Sequence, residues 1–223
     1  MSRSRVRKVL WRVAWVVLAV AVCFYAFLAL SLVAMRWITP PFTAVQIQQQ
    51  LAARSFSRRY TPVPMSRIAR DLQHAVVAAE DSRFFQHHGF DLVEIEKAVE
   101  EEDERGHLRG ASTITQQLVK NLFFTNYRSA IRKGLEISVT PLAELILPKQ
   151  RILELYLNVI EWGPGVYGAE AAAHYHYSVS AARVTRDQAA RLAAVIPSPR
   201  RRRPARMDRY SAIILNRMRQ MGW

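Results

Sequence analysis

An uncharged, apolar run near the beginning of the chain sets the first limit on its fold. Residues 13–35 contain no charged side chain, and Ser31 is their one clear polar interruption. As a helix, this run would be about 34 Å long, which is enough to cross the hydrocarbon core of a bilayer. A cleaved signal peptide is the alternative, but its apolar region is usually only about 7–15 residues long. We therefore predict a single transmembrane anchor at 13–35.

The residues on either side of the apolar run predict its orientation. Residues 1–12 carry five basic side chains and no acidic one, and such a tip stays in the cytoplasm by the positive-inside rule. Trp11 and Trp37 flank the run, where aromatic side chains anchor a helix at the membrane interface. The sole cysteine, Cys23, lies inside the run, so no disulfide within the chain can build the fold. The rest of the chain is predicted to lie on the far side of the membrane.

The formal net charge of +14 is concentrated at the two ends of the chain. Residues 1–12 hold +5 and residues 181–223 hold +9, whereas residues 13–180 carry equal numbers of basic and acidic side chains. So high a charge would favour nucleic-acid binding if it lay on a cytoplasmic domain. Because the predicted topology exports the domain, we expect no nucleic-acid partner. We predict instead that Arg200–Arg203 face anionic lipid headgroups.

The rest of the chain reads as one mostly α-helical domain. Half of the residues are apolar, which excludes wholesale disorder. The predicted organisation is a basic tip at 1–12, the anchor at 13–35, a partly irregular connector at 36–65 and one domain at 66–223. No alternating run predicts a β-sheet, and Thr185 with Gln188 predicts a capping box. Helical spacing of apolar residues predicts helices at 66–79, 91–104, 112–124, 129–147, 149–161, 166–177, 185–196 and 208–221.

The first polar block, E-D-S-R-F-F-Q-H-H-G, covers residues 80–89 and follows an apolar helix. Adjacent side chains of a helix point in different directions. One of the two carboxylates, Glu80 and Asp81, can therefore serve chemistry while the other is tied to structure. A solvated helix end is the alternative interpretation.

The second block, G-A-S-T-I-T-Q-Q-L-V-K-N, covers residues 110–121. Thr113, Gln117 and Lys120 lie within about 60° of one another on a helical wheel, away from the apolar side. Gly110 and Ser112 precede this helix, and its free N–H groups are predicted to suit an anion. An ordinary amphipathic helix with a polar outer face is the alternative.

The third block, R-S-A-I-R-K-G-L-E, places Arg128, Arg132 and Glu136 along one helical stripe. The two arginines repel each other unless an anion lies between them, and guanidinium geometry suits phosphate oxygens. A surface pair between Arg132 and Glu136 is the alternative. The fourth block, K-Q-R-I-L-E-L-Y-L-N at 149–158, reads mainly as scaffold because Ile152 and Tyr156 belong to an apolar stripe.

Together and in this order, the four blocks resemble the motifs of glycosyltransferase family 51, the peptidoglycan glycosyltransferases. Those motifs are E-D-x-x-F-x-x-H-x-G, G-x-S-T-I-T-Q-Q-x-x-K-N, R-K-x-x-E and K-x-x-I-L-E-x-Y-L-N. The resemblance covers roughly residues 66–200 and implies a lysozyme-like α-helical catalytic domain with a small membrane-dipping lobe. The S-x-x-K, S-x-N and K-T-G motifs of the bifunctional relatives do not occur in the sequence. We therefore expect a monofunctional member without transpeptidase activity.

The resemblance implies polymerisation of lipid II into linear β-1,4 glycan strands. The transfer inverts the anomer and runs from an undecaprenyl-pyrophosphate-linked donor chain to the GlcNAc 4-hydroxyl of lipid II. The catalytic residues carried over from the motifs are Glu80 and Glu136. Those implied to bind pyrophosphate and sugar are Lys120, Arg128, Arg132, Lys133, Ser112, Thr113, Gln117 and Asn121. Those implied to shape or support the site are Asp81, Phe84 and His87.

The resemblance also implies partners and a location. These are lipid II, the membrane and proteins of cell-wall synthesis or division, at the cytoplasmic (inner) membrane with the catalytic domain in the periplasm. No organic cofactor is expected, but Glu136 either orients the cations or helps to bind a divalent ion such as Mg or Mn. Zinc at His87-His88 or His174-x-His176 is not expected, because the sequence shows no Cys or carboxylate at ligand spacing.

Three alternatives stay open at this point. Leu122, Phe123 and Phe124 belong either to a membrane-dipping lobe or to a core aromatic cluster. A lysozyme-like, glycan-cleaving enzyme would also need a Glu at a helix end, although it would have no pyrophosphate for the cations to stabilise. A non-enzymatic membrane adaptor would leave the polar Thr113, Gln117 and Lys120 stripe without a purpose.

Overall fold

A computed structural model describes residues 3–53, 58–105, 112–127 and 129–223. The candidate ligand Arg128, together with Gly110 of the second block, lies outside the described residues. The helices are α1 (Arg3–Ala34), α2 (Ala44–Ala53), α3 (Arg70–Glu80), α4 (Leu92–Arg105), α5 (Ile114–Phe123), α6 (Ala130–Ile146), α7 (Lys149–Val159), α8 (Ala169–Tyr177), α9 (Arg186–Val195) and α10 (Asp208–Gln220). The prediction of a mostly α-helical chain is therefore confirmed.

Side-chain caps set several of the helix starts. Thr185 and Gln188 form the predicted capping box at the beginning of α9. Asp91 accepts a hydrogen bond from the Glu94 N–H at 3.1 Å and so caps α4. The helix predicted from residue 66 instead begins at Arg70, because Met65–Arg67 form a separate 3₁₀ turn.

A small sheet, which the sequence did not predict, joins the connector to the domain. Its strands are β1 (Arg59–Tyr60), β2 (Glu161–Gly163) and β3 (Val166–Tyr167), in the order β1-β3-β2. β1 runs parallel to β3, and β2 runs antiparallel to it. Strands of two or three residues are too short to show an alternating pattern. The connector also contains α2, so it is more regular than expected.

The anchor packs against the domain. One helix, at Arg7–Ala34, is long and apolar enough to cross a membrane, in agreement with the run predicted at 13–35. Along it, Leu28 and Leu32 are buried. The Tyr25 hydroxyl lies 2.7 Å from the Ser138 Oγ on α6. The predicted anchor helix is therefore joined to the helix that carries the third polar block.

The core decides the open question about Leu122, Phe123 and Phe124 at the end of α5. α5 packs against α6 and α7, while α3 packs against α9 and α10. Leu122 and Phe124 are buried in this core, and Phe123 packs against it. These three residues are thus core. Exposed apolar side chains occur elsewhere, as at Ile131 and Ile137 on α6, the helix that contacts the anchor.

Two side chains of the Arg-rich segment contact other residues of the domain. Arg200 Nε donates to Glu161 at 3.0 Å. The Arg202 guanidinium lies over the Tyr210 ring, 4.6 Å from its centroid. These two side chains therefore fasten the chain after α9 to the rest of the domain. The other two arginines of 200–203 are exposed, and their contact with lipid headgroups stays a prediction.

Candidate active site

A cleft of about 480 Å³ opens where the end of α3 meets the beginning of α5. Six of the residues singled out from the sequence line it: Glu80, Asp81, Ser112, Thr113, Gln117 and Lys120. Glu80 is the last residue of α3, and Asp81 follows it. Ser112 and Thr113 directly precede α5, which carries Gln117 and Lys120. Two polar blocks that are separated in sequence therefore meet in one cavity.

The two adjacent carboxylates, Glu80 and Asp81, have different hydrogen-bond partners. Asp81, which is 7% exposed, accepts a hydrogen bond from His87 Nε2 at 2.9 Å and another from the Ile114 N–H at 3.0 Å. Glu80 faces the cleft, and its Oε2 accepts a hydrogen bond from Gln117 Nε2 at 2.8 Å. Asp81 is thus bound into the structure, while Glu80 is available for chemistry.

The N-terminus of α5 is filled by the protein's own groups. The Ile114 N–H binds Asp81, and the Gln116 N–H donates to Thr113 Oγ1 at 3.2 Å. The prediction that these N–H groups are free for an anionic ligand is therefore wrong. The cause is a carboxylate far away in sequence, which takes the position that a ligand anion would take.

Two residues implied to bind substrate instead hold the scaffold. Thr113 lines the cleft, but its hydroxyl is buried and donates to the Gly89 carbonyl at 2.7 Å. Asn121 is buried on α5, and its side-chain amide donates to the Gln117 carbonyl at 2.8 Å. Both residues fix the backbone on which Gln117 is carried.

Phe84 and His87 lie in the loop after α3, where His87 contacts Asp81. Phe84 is fully buried, and Lys149 Nζ lies 4.4 Å from the centroid of its ring. Lys149 also forms a 2.8 Å ion pair with Glu144, whose side chain is 5% exposed. This buried pair holds the loop after α3 in place.

Glu80 is a buried carboxylate under opposing influences. Burial, the largest effect, raises its pKa above the usual value. The hydrogen bond from Gln117 and the positive charges of Lys120 and Arg202 act in the opposite direction, while Asp81 adds a further increase. The raised pKa makes Glu80 a stronger base than an exposed Glu.

Glu136 holds two cations near the same cleft. Its side chain is 4% exposed, with Arg132 Nη1 2.5 Å from Oε2 and Lys133 Nζ 2.6 Å from Oε1. The surface pair considered for Arg132 and Glu136 is thus a buried one. Lys133 Nζ also lies 3.5 Å from Ser112 Oγ, which connects this group to the cleft.

Lys120 connects the two carboxylates electrostatically. Burial lowers the pKa of Lys120, and the negative charges of Glu136 and Glu80 raise it, while Arg132 and Lys133 lower it. Four charged side chains therefore form one group around Glu136, three of them basic. We call Lys120, Arg132, Lys133 and Glu136 the cation group.

Among the described residues, each oxygen of Glu136 already binds one cation, Arg132 at Oε2 and Lys133 at Oε1. The structure brings together Asp81, His87 and Asp91 instead, with one potential ligand atom from each within 4.8 Å of the others. The expectation that His87 has no carboxylate partners is therefore wrong. However, Asp81 already accepts from two N–H groups, so hydrogen bonding explains the cluster without a metal.

Comparison with known proteins tests the resemblance seen in the motifs. A family model described as Transglycosylase matches residues 47–219. The chain belongs to the transglycosylase family. A biosynthetic peptidoglycan transglycosylase of Ectopseudomonas mendocina is 42% identical over 100% of this chain and 92% of the relative. One from Xanthomonas campestris pv. campestris is 47% identical over 92% and 87%. One from Thiobacillus denitrificans is 54% identical over 69% and 66%. The resemblance seen in the four motifs is thus confirmed.

Several cleft residues of this transglycosylase were not found from its sequence. Arg217 on α10 and Lys97 on α4 line the cavity, and Arg202 acts on Glu80 from the segment after α9. Tyr156 was read as a core residue, yet its hydroxyl donates to Gln117 Oε1 at 2.8 Å. No local pattern marks these side chains, because tertiary packing alone brings them to Glu80.

Proposed function

We propose that this transglycosylase polymerises lipid II into linear β-1,4 glycan strands on the outer face of the cytoplasmic membrane. The observation that carries the proposal is the position of Glu80. It is a buried carboxylate at the end of α3, hydrogen-bonded to Gln117 and facing a cleft that Lys120 shares. The anchor supports a substrate that stays in the membrane, with the N-terminus in the cytoplasm.

Glu80 acts as the general base. It takes the proton of the acceptor GlcNAc 4-hydroxyl while that oxygen attacks C1 of the donor MurNAc. The new C1–O4 bond forms as the bond from C1 to the pyrophosphate oxygen breaks, so the anomer is inverted. Burial raises the pKa of Glu80 and strengthens it as a base. The hydrogen bond from Gln117 and the charges of Lys120 and Arg202 keep the base form available near neutral pH.

The cation group stabilises the leaving group. The electron pair of the broken bond leaves with undecaprenyl pyrophosphate, so negative charge increases on phosphate oxygens. Lys120, Arg132 and Lys133 are placed to bind those oxygens, and charge-assisted hydrogen bonds of this kind are strong in a site shielded from water. Glu136 holds Arg132 and Lys133 in position. Arg128, outside the described residues, is proposed as a further ligand.

The remaining site residues complete the proposal. Ser112 and Gln117 line the sugar–phosphate cleft, while Asp81, Phe84 and His87 support it. No step of the proposed glycosyl transfer uses a divalent ion. Proteins of cell-wall synthesis or division are proposed as partners.

The structure also bears on the glycan-cleaving alternative. Most retaining and inverting glycosidases use a second carboxylate that acts on the sugar or on water. The neighbouring carboxylate, Asp81, is bound by His87 and by the start of α5. The three basic side chains of the cation group, by contrast, can stabilise a leaving group only if that group is anionic. Both observations favour transfer from a pyrophosphate-linked donor.

An experiment on product identity separates these reactions. Purified full-length protein in detergent is incubated with labelled lipid II and, separately, with finished uncross-linked glycan. We expect glycan polymer and one undecaprenyl pyrophosphate released for each bond formed, with the finished glycan left intact. Shortening of the finished glycan, with lipid II unconsumed, would contradict the proposal.

A further inference from the structure

A chain of two buried hydrogen bonds reaches Glu80 from the core. Tyr156 on α7 is fully buried, and its hydroxyl donates to Gln117 Oε1 at 2.8 Å. Gln117 Nε2 in turn donates to Glu80 Oε2 at 2.8 Å. Gln117 is thus held at both ends of its amide, once by a core tyrosine and once by the candidate base.

The chemistry of the three groups fixes the direction of both bonds. An ionised carboxylate can only accept, so the NH₂ end of the Gln117 amide must face Glu80. The carbonyl end then faces Tyr156, which must donate. Burial and the negative charges of Glu80 and Asp81 raise the pKa of Tyr156 well above its usual value. Tyr156 therefore keeps the proton that it donates.

Gln117 Nε2 also lies 3.4 Å from the Ser112 carbonyl, a longer contact that favours the same orientation. Without the tyrosine hydroxyl, the amide would lose the donor that fixes its carbonyl end. A rotation of 180° would point Gln117 Oε1 at the Glu80 carboxylate. Two acceptors would then face each other when Glu80 is ionised, whereas a protonated Glu80 could donate to the same oxygen. The flipped amide therefore favours the acid form of Glu80.

We propose that Tyr156 is a positioning residue that orients the Gln117 amide and so keeps Glu80 in its ionised, proton-accepting form. This inference rests on the proposed role of Glu80 as the general base. Tyr156 itself does not touch the cleft surface; it acts through Gln117.

Other charges face Glu80, but a Tyr156→Phe substitution changes none of them. The groups with a direct electrostatic effect are Lys120 on α5, Arg202 after α9 and the adjacent Asp81. The other charged residues that line the cleft are Asp91, Glu94, Lys97 and Arg217. A change in the titration of Glu80 in this variant would therefore come from the amide.

The test compares two tyrosine variants of the full chain. Tyr156→Phe removes the donor, and Tyr177→Phe is the matched control, because the buried Tyr177 hydroxyl has no hydrogen-bond partner among the described residues. For Tyr156→Phe, we expect kcat/KM for lipid II to fall about tenfold at acidic pH and by less than about twofold at alkaline pH. Tyr177→Phe should follow the unmodified protein across the range.

A direct titration separates this inference from the proposed function. With carboxyl-labelled Glu, the NMR signal of Glu80 should titrate at higher pH in Tyr156→Phe than in the unmodified protein, whether or not Glu80 is the base. If Glu80→Gln retained activity, Glu80 would not be the general base. The titration would still test whether the hydrogen bonds from Tyr156 through Gln117 affect the pKa of Glu80. An unchanged titration, or an equal loss of activity at all pH values, would overturn the inference.

A measurement on the unmodified protein makes the test independent of how the variant folds. The Gln117 side-chain amide signals should shift with the same midpoint as the Glu80 carboxyl signal. In a Gln117→Leu background, Tyr156→Phe should add no further change to the Glu80 titration. Independent midpoints, or an additional change in that background, would count against Tyr156 acting through Gln117.

Discussion

Removing the Asp81 carboxylate should destabilise the domain strongly, because this side chain holds two buried donors. Asp81→Ala leaves His87 Nε2 and the Ile114 N–H without the oxygens that they bind at 2.9 and 3.0 Å. Each unsatisfied buried donor costs about 1–3 kcal/mol, so we expect a loss of about 4 kcal/mol. For a domain of this size, about 1 kcal/mol lowers Tm by about 2–4 °C. The expected decrease in Tm is therefore about 8–16 °C.

The Asn variant should be milder, and this gradation tests the physical reasoning. In Asp81→Asn, the side-chain oxygen can still accept from the Ile114 N–H while its NH₂ donates to a neutral His87. We therefore expect a Tm between those of Asp81→Ala and the unmodified protein.

Thermal unfolding of the full chain in detergent, followed by tryptophan fluorescence, measures these differences. Asp187→Ala is the matched control, because that carboxylate is 59% exposed and forms a surface pair with Arg191. It should change stability by no more than about 0.5 kcal/mol. If Asp81→Ala unfolded at the same temperature as Asp187→Ala, the structural role of Asp81 would be refuted.

Three further predictions concern other parts of the site and its frame. Because burial raises the pKa of Glu80, its contribution to stability is present at low pH and is lost as pH rises through the folded pKa. In thermal scans at pH 8, the Tm of Glu80→Gln should therefore be equal to or higher than that of the unmodified protein. The difference between the two Tm values should become smaller towards pH 5. Glu136→Gln, which weakens the hold on two cations, should lower the initial rate of polymerisation about 100-fold at saturating lipid II. Gly168→Ala should lower the free energy of unfolding by more than about 2 kcal/mol, because Gly168 has φ +86° and a Cβ there would lie 2.6 Å from the Asn158 carbonyl oxygen. Gly134→Ala is the control, since a Cβ at Gly134 would meet open space. It should leave the stability unchanged or increase it.

The sequence predicted the parts of the site that depend on local geometry. The separation of Glu80 from Asp81 follows from two adjacent positions at a helix end. The helices follow from apolar periodicity, and the Thr185 cap from its spacing to Gln188. Each of these depends on residues within a few positions of one another.

The parts that sequence reasoning missed depend on contacts between distant elements. Tyr156 occupies a core position of α7. The sequence pattern does not show whether the hydroxyl of such a buried tyrosine binds a site residue. Arg202 affects the pKa of Glu80 only because the chain after α9 folds back and brings the two charges close together. Asp81 fills the start of α5 for the same reason, which no helix-terminus argument from sequence could anticipate.

Glu80 is proposed to take the proton of the acceptor hydroxyl, and a charge-neutral variant decides whether it does. Formation of labelled glycan from lipid II is followed for Glu80→Gln and for Glu96→Gln, an exposed carboxylate on α4. Both proteins are first shown to unfold cooperatively at or near the unmodified Tm. We predict no polymer from Glu80→Gln between pH 6 and pH 9, and an unmodified rate from Glu96→Gln. Polymer from folded Glu80→Gln at a rate close to that of Glu96→Gln would contradict the account.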